Sequence, residues 1–187
     1  MRVLVGCEFS GVVRDAFARR GHDAWSCDLL PTEVPGKHFV ADVREVLRDG
    51  WDLAVFHPPC TRLANSGVRW LAERDLWREM EEACDLFRTL LSAPIPRVCV
   101  ENPIPHRYAR ERIGRYSQVV QPWQFGHGET KATCLWLRGL PPLAASNVVG
   151  GRVAKCHKEP PGADRWKRRS VTYAGIAEAM AEQWGDA

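Results

Sequence analysis

A chain of 187 residues can enclose one hydrophobic core, and 45% apolar with 26% charged residues excludes an intrinsically disordered chain. A formal charge of +3 permits an anionic partner without requiring one, since nucleic-acid-binding domains are commonly far more basic. Seven cysteines, scattered at 7, 27, 60, 84, 99, 134 and 156, have neither disulfide-framework nor zinc-ligand spacing, and no apolar run approaches membrane-spanning length.

The expectation is a soluble cytoplasmic protein with reduced thiols, no metal and no membrane partner. Residues 3–5 predict a short buried strand ending at Gly6. Val12, Val13, Ala16 and Phe17 then share one stripe of a helix over 11–20, which Gly21 closes. A second strand over 24–27 ends at Asp28, and Val40-Ala41 lead to Asp42 and a short helix over 43–48. The apolar run 52–56 stops at His57-Pro58-Pro59-Cys60. Between 71 and 91, Leu76, Met80, Ala83, Cys84, Phe87 and Leu91 recur at helical spacing among charged residues, which predicts one amphipathic helix. A strand over 97–100 leads into Glu101-Asn102-Pro103; strands follow at 117–120 and 133–137, then a polar, basic loop over 144–169 and a closing helix over 173–184.

Strands alternating with helices imply a parallel sheet covered on both faces, a single α/β domain of Rossmann-like type over residues 1–187. Ligands bind such sheets beyond the carboxyl ends of the strands. The chemically distinctive residues cluster there: Glu8, Phe9, Ser10 and Gly11, then Asp28 with Leu29, Asp42, Pro58 to Cys60, and Glu101-Asn102. The first turn offers helix N-terminal amides to a carboxylate or phosphate, or simply shapes the chain. Asp28, 22 positions after Gly6, is placed either to accept the two hydroxyls of a ribose or to cap a turn. Asp42 either binds an amino group or caps the helix after it.

Cys60 differs from the packed cysteines because it lies in a loop with Thr61, Arg62, Asn65 and Ser66, where a nearby arginine would favour the nucleophilic thiolate. Glu101, 41 positions on, ends an apolar strand, where a carboxyl group requires a partner. That partner is either a bound ring or an arginine such as Arg97 or Arg107. In protonated form Glu101 would donate to N3 of a cytosine.

The ordered series Phe9-Ser10-Gly11, Asp28, Asp42, Pro58-Pro59-Cys60 and Glu101-Asn102-Pro103 resembles the motifs of the cytosine-C5 methyltransferases. The resemblance spans roughly residues 1–103. Phe125-Gly126 through Lys131, Thr133, Leu135 and Trp136, and the closing stretch from Arg169-Ser170 to Trp184, are similar to a small subgroup found in phages and prophages. The resemblance implies S-adenosylmethionine held by Glu8, Phe9, Ser10, Gly11, Asp28, Leu29, Asp42 and Pro58. It implies Cys60 as nucleophile at C6 and Glu101 acting at N3, with Pro59, Arg62, Asn65, Ser66, Asn102, Lys131 and Arg169 toward the substrate.

Only about 30 residues separate Leu140 from Ser170, where DNA-reading members of that family insert a recognition domain, and a domain rarely fits in fewer than about 50. A bare catalytic domain suits a cytidine nucleotide such as dCMP or CMP, with the basic segment 155–169 available for its phosphate. DNA, met as a homodimer or with a partner chain, is the alternative substrate. An exocyclic amino-methyltransferase and a non-catalytic binding module are the remaining readings.

Overall fold

The structure is a computed structural model and describes residues 1–185. Seven strands form one sheet: β1 (Arg2–Gly6), β2 (Asp23–Asp28), β3 (His38–Val40), β4 (Leu53–Phe56), β5 (Arg97–Pro103), β6 (Gln118–Val120) and β7 (Thr133–Arg138). Their order is β3-β2-β1-β4-β5-β7-β6, with every pair parallel except those that β7 makes with β5 and β6. β1 lies between β2 and β4, so the chain winds one way to β3 and then returns to continue the other way. Such a switch point opens a crevice beyond the carboxyl ends of the adjoining strands.

Period-two alternation sorts the strand residues into two buried layers. Leu4, Ala54, Phe56, Val98 and Val100 pack with Met80, Cys84, Phe87 and Leu90 of α3 (Trp77–Leu91). Val3, Val5, Leu53, Val55 and Cys99 pack on the other face, against α1 (Val12–Arg19) and the C-terminal helix α7 (Ala174–Gly185). The three-layer Rossmann-like arrangement read from the strand–helix alternation is the one observed. No helix among the described residues is long and apolar enough to cross a membrane.

The structure corrects several boundaries. The helix expected over 71–91 is two helices, α2 (Arg69–Glu73) and α3, broken at Asp75, whose φ of 49° is left-handed. The Leu76 amide returns to the Leu71 carbonyl at 2.9 Å, a helix-ending turn in which aspartate is tolerated, and the apolar period runs on across it. The helix expected over 43–48 is a 3₁₀ turn at Val43–Glu45. An unpredicted helix, α4 (Arg107–Ile113), follows β5. The segment expected as a basic loop contains two short helices, α5 (Lys155–Lys158) and α6 (Arg165–Ser170).

α7 reaches the sheet through one tight crossing. A methyl group at Gly175 would overlap the carbonyl oxygen of Phe125, and the Gly175 amide donates to Nε2 of His127 at 3.1 Å. Gly175→Ala therefore forces α7 outward and is expected to lose about 1–3 kcal/mol of stability in urea unfolding. Gly150→Ala, where the added carbon meets nothing within 4 Å, is the control and should stay near wild type. Equal midpoints for the two variants would contradict the crossing.

Candidate active site

β4 delivers His57-Pro58-Pro59-Cys60 to the carboxyl edge of the sheet. The two prolines restrict the chain, and the Cys60 carbonyl accepts from the amides of Leu63 (3.0 Å) and Ala64 (2.8 Å), which starts a tight turn. That turn is fastened to the segment following β5. The Asn65 amide donates to the Ile104 carbonyl at 2.9 Å, the His106 amide donates to the Leu63 carbonyl at 3.1 Å, and His106 Nε2 lies 2.8 Å from the Arg62 carbonyl. Two motifs 41 residues apart in sequence are thereby joined backbone to backbone.

In the β4–β5 register Phe56 lies opposite Val100, and one residue further brings His57 abreast of Glu101. His57 Nδ1 stands 3.6 Å from Glu101 Oε1, an ion-pair contact longer than a hydrogen bond, with side chains 9% and 21% exposed. Burial pushes the Glu101 carboxyl up, but His57 and the charge of Lys131 outweigh it, and the net displacement is below the ordinary carboxylate value. Glu101 thus rests ionised, not protonated as the cytosine reading expects, and its partner is His57 rather than an arginine.

Cys60 carries a correction of the same kind. Burial first, then the Glu101 charge, push its thiol above the ordinary value, while Lys131 and Arg169 pull it back only in part. The expected help from Arg62 is missing because its Nε is held by Glu79 at 2.7 Å. Cys60 is therefore a thiol at rest.

Lys131 ties this centre to the C-terminal segment, its Nζ donating to the carbonyls of Arg169 (2.7 Å) and Val171 (3.3 Å). It lines a cavity of about 20 Å³ shared with His57, Glu101, Thr133 and Tyr173. It also lines an adjoining cavity of about 190 Å³ whose walls include Lys155, Arg168, Arg169, Glu129 and Glu159. There Arg168 pairs with Glu159, and Lys155 stands 3.7 Å from Glu129. Arg169 Nε is buried with no hydrogen-bond partner. Cys60 forms no wall of either cavity, although the charges of Glu101, Lys131 and Arg169 act on it.

At the β1–α1 turn, the amides expected to hold an anionic ligand are taken by the protein itself. Glu8, 5% exposed, accepts from the amides of Val13 (2.7 Å) and Arg14 (3.2 Å), and Ser10 Oγ approaches it at 3.4 Å. Gly11 has φ 74°, a conformation that favours glycine. Asp42 accepts from the Arg44 amide and pairs with its guanidinium, which holds its carboxyl down at about 2; here the capping alternative is the one observed. Asp28 uses Oδ1 to accept from the Leu30 amide at 2.9 Å, and that turn leaves Oδ2 unused. Leu29 beside it is 73% exposed. A carboxylate oxygen next to an exposed apolar side chain fits the ribose and base of an adenosyl group; Asp42, already engaged, does not add to it.

The rest of the predicted set divides. Pro58 is buried, while Pro59, Asn65 and Ser66 are exposed on the rim. Asn102 is fully buried on the face opposite Glu101, its Nδ2 donating to the Pro103 carbonyl at 2.6 Å. The sequence reading missed His57, which the β4 alternation signals: two residues after Val55, it continues the face that Glu101 shares. It also missed α6, which runs from the first turn to the larger cavity. Trp166 sits edge-on to Phe9 at 5.8 Å, and Lys167 approaches Glu33 at 3.8 Å.

The charges make a checkable statement about Cys60. Removing the carboxylate in Glu101→Gln lowers its thiol pKa, so alkylation by iodoacetamide at pH 7.5 should speed several-fold at about the factor of ten expected per pKa unit. Lys131→Met should slow it. Peptide mapping by mass spectrometry separates Cys60 from the other six cysteines; unchanged rates in both variants would contradict the electrostatic coupling.

No protein-family model matches the sequence, and no curated protein matches it. Among solved structures the chain is similar to a protein described as a DNA modification methyltransferase encoded within a prophage of E. coli, with a TM-score of 0.52 and 13% identity over 86% of this chain and 55% of that one. It is also similar to the Entamoeba histolytica methyltransferase EhMeth, with a TM-score of 0.50 and 13% identity over 80% of this chain and 57% of that one. The chain spans little more than half the length of either neighbour, and what the likeness establishes is a shared Rossmann-like fold.

Proposed function

We propose that the protein is an S-adenosylmethionine-dependent methyltransferase acting on carbon 5 of cytosine, with a cytidine nucleotide such as dCMP or CMP as substrate. The observation that carries this reading is the convergence of Cys60 and Glu101, from neighbouring strand ends, within electrostatic reach of one another. The fold shared with two methyltransferases supports the coarser half of it.

Cytosine C5 is a poor nucleophile until C6 carries an added group, so the reaction requires a nucleophile and an acid on the same ring. Cys60 Sγ adds to C6, and the electron pair displaced toward N3 is met by a proton delivered through Glu101. The Glu101 oxygen not engaged at N3 accepts from the exocyclic amine. When bound, S-adenosylmethionine supplies the electrophilic methyl group for C5, held at Asp28 and Leu29 beside the β1–α1 turn. Loss of the C5 proton then re-forms the ring double bond and expels the Cys60 thiolate.

For the substrate, the larger cavity is lined by Lys131 and by Arg169, whose Nε has no hydrogen-bond partner, a fit for a nucleotide phosphate. Flipping a base from a duplex costs a few kcal/mol and requires protein surface to hold the distorted DNA, of which residues 144–169 offer only two short helices. A second reading, methylation of DNA with a second copy or partner chain, draws on the description of the prophage neighbour.

Radiolabelled methyl transfer to dCMP, CMP, single-stranded DNA and duplex DNA discriminates these readings. Label in dCMP or CMP is expected, and label confined to duplex DNA would end the nucleotide assignment. Glu101→Gln should lower kcat by about 10²–10⁴-fold and Cys60→Ser should abolish turnover. Undiminished transfer by Cys60→Ser would require another mechanism.

A further inference from the structure

The proposed chemistry leaves a buried polar group beside Glu101 without a task. The His57 side chain is 9% exposed, and neither of its ring nitrogens has a hydrogen-bond partner. A buried imidazole with both nitrogens unpaired is costly unless charge or ligand compensates it. Two acids face it from different elements: Glu101 at the end of β5, 3.6 Å away, and Glu8 in the β1–α1 turn, whose carboxyl feels the imidazole charge. Lys131 ahead of β7 and Tyr173 ahead of α7 complete the titratable groups around the small cavity that His57 and Glu101 line together, with Cys60 three residues further along the same loop.

Resting on the cytosine reading, we infer that His57 is a positioning residue that acts through Glu101, storing the proton that Glu101 passes to N3 and recovering it as product forms. An ionised Glu101 cannot bring its own proton to the ring, so a donor must stand behind it. The steps balance. The Cys60 thiol first loses its proton to water. His57 Nδ1–H passes its proton to the ionised Glu101 carboxylate. As the Sγ–C6 bond forms, the C5=C6 electron pair moves toward N3, and N3 takes that same proton from Glu101, which returns to the carboxylate form. Once C5 has accepted the methyl group, its proton leaves to water, the C5=C6 bond returns and the Sγ–C6 bond breaks. The N3 proton then travels back through Glu101 to His57, and the thiolate is reprotonated from water. The pair ends as it began, and the net proton released is the one from C5.

His57→Asn keeps a polar group near Glu101 but cannot carry the proton; His57→Gln, run beside it, keeps the test alive if one variant fails to fold. In the free full-length protein, ¹³C NMR of the Glu101 carboxyl should show its titration moving to higher pH in the variant, and an unmoved titration overturns the pairing. With dCMP as substrate, kcat near neutral pH should fall about a hundredfold while KM stays within about threefold. The remaining rate should climb as pH falls, because Glu101 must then be protonated from solvent. A uniform loss with the wild-type pH profile would mark a merely structural histidine and overturn the role. If wild type transfers no methyl to any cytosine substrate, the methyltransferase reading falls, and the proton store falls with it whatever the titration shows.

Discussion

A carboxylate kept ionised at the end of a buried strand is the constraint around which this site is arranged. Glu101 lies where desolvation alone would neutralise it, and only the His57 imidazole 3.6 Å away and the Lys131 charge reverse that tendency. Each of the three comes from a different part of the chain. β4 aims His57, β5 aims Glu101, and Lys131 is anchored to the Arg169 and Val171 carbonyls in the loop before α7. The Gly175 crossing matters to the site for the same reason: it lets α7, and the segment before it, approach the Phe125 loop.

The parallel sheet makes this convergence inexpensive. Strands running the same way place all their carboxyl ends at one edge, and the switch between β1 and β4 opens the crevice there. The protein uses that edge asymmetrically. On the β1–β2 side the turn is internally satisfied, with Glu8 bonded to the first amides of α1 and Asp28 Oδ1 accepting from the Leu30 amide. On the β4–β5 side polar atoms are left unpaired, at both nitrogens of His57 and at Arg169 Nε. Unpaired buried polar atoms weaken a fold, and their concentration on one side of the crevice marks the side prepared for a polar substrate.

Much of the fold was legible from residues alone because strong periodicities were backed by unambiguous stops. Val3 to Val5 before Gly6, the run ending at His57-Pro58, and the alternation into Glu101 each mapped onto an observed strand. Asp75 escaped because the apolar period of α3 continues across the break, and α4 because His106 caps it with a ring nitrogen, accepting from the Ala109 amide, rather than with a usual capping side chain. For the candidate site, strand-end position predicted that Cys60 and Glu101 lie at one edge of the sheet, as observed, but protonation states were beyond reach. Whether Arg62 assists Cys60 depends on Glu79, 17 residues away, and whether Glu101 is ionised depends on a histidine whose facing becomes visible only once β4 and β5 are in register. Arg14 was equally hidden: it reads as a surface helix residue yet is 1% exposed, bonded to Ser26, Thr32 and the carbonyls of Val34 and Pro35.

The central claim is that a cytosine ring becomes covalently attached to one cysteine, and a substrate analogue that cannot complete the cycle tests it directly. In 5-fluoro-dCMP the C5 substituent cannot leave as a proton, so the methylated adduct cannot eliminate its thiolate. Incubation with that nucleotide and S-adenosylmethionine, followed by intact-mass and peptide analysis, should reveal one added methylated nucleotide on Cys60. Unmodified protein after prolonged incubation with this analogue and with DNA containing the same base, or attachment to another cysteine, would contradict the account.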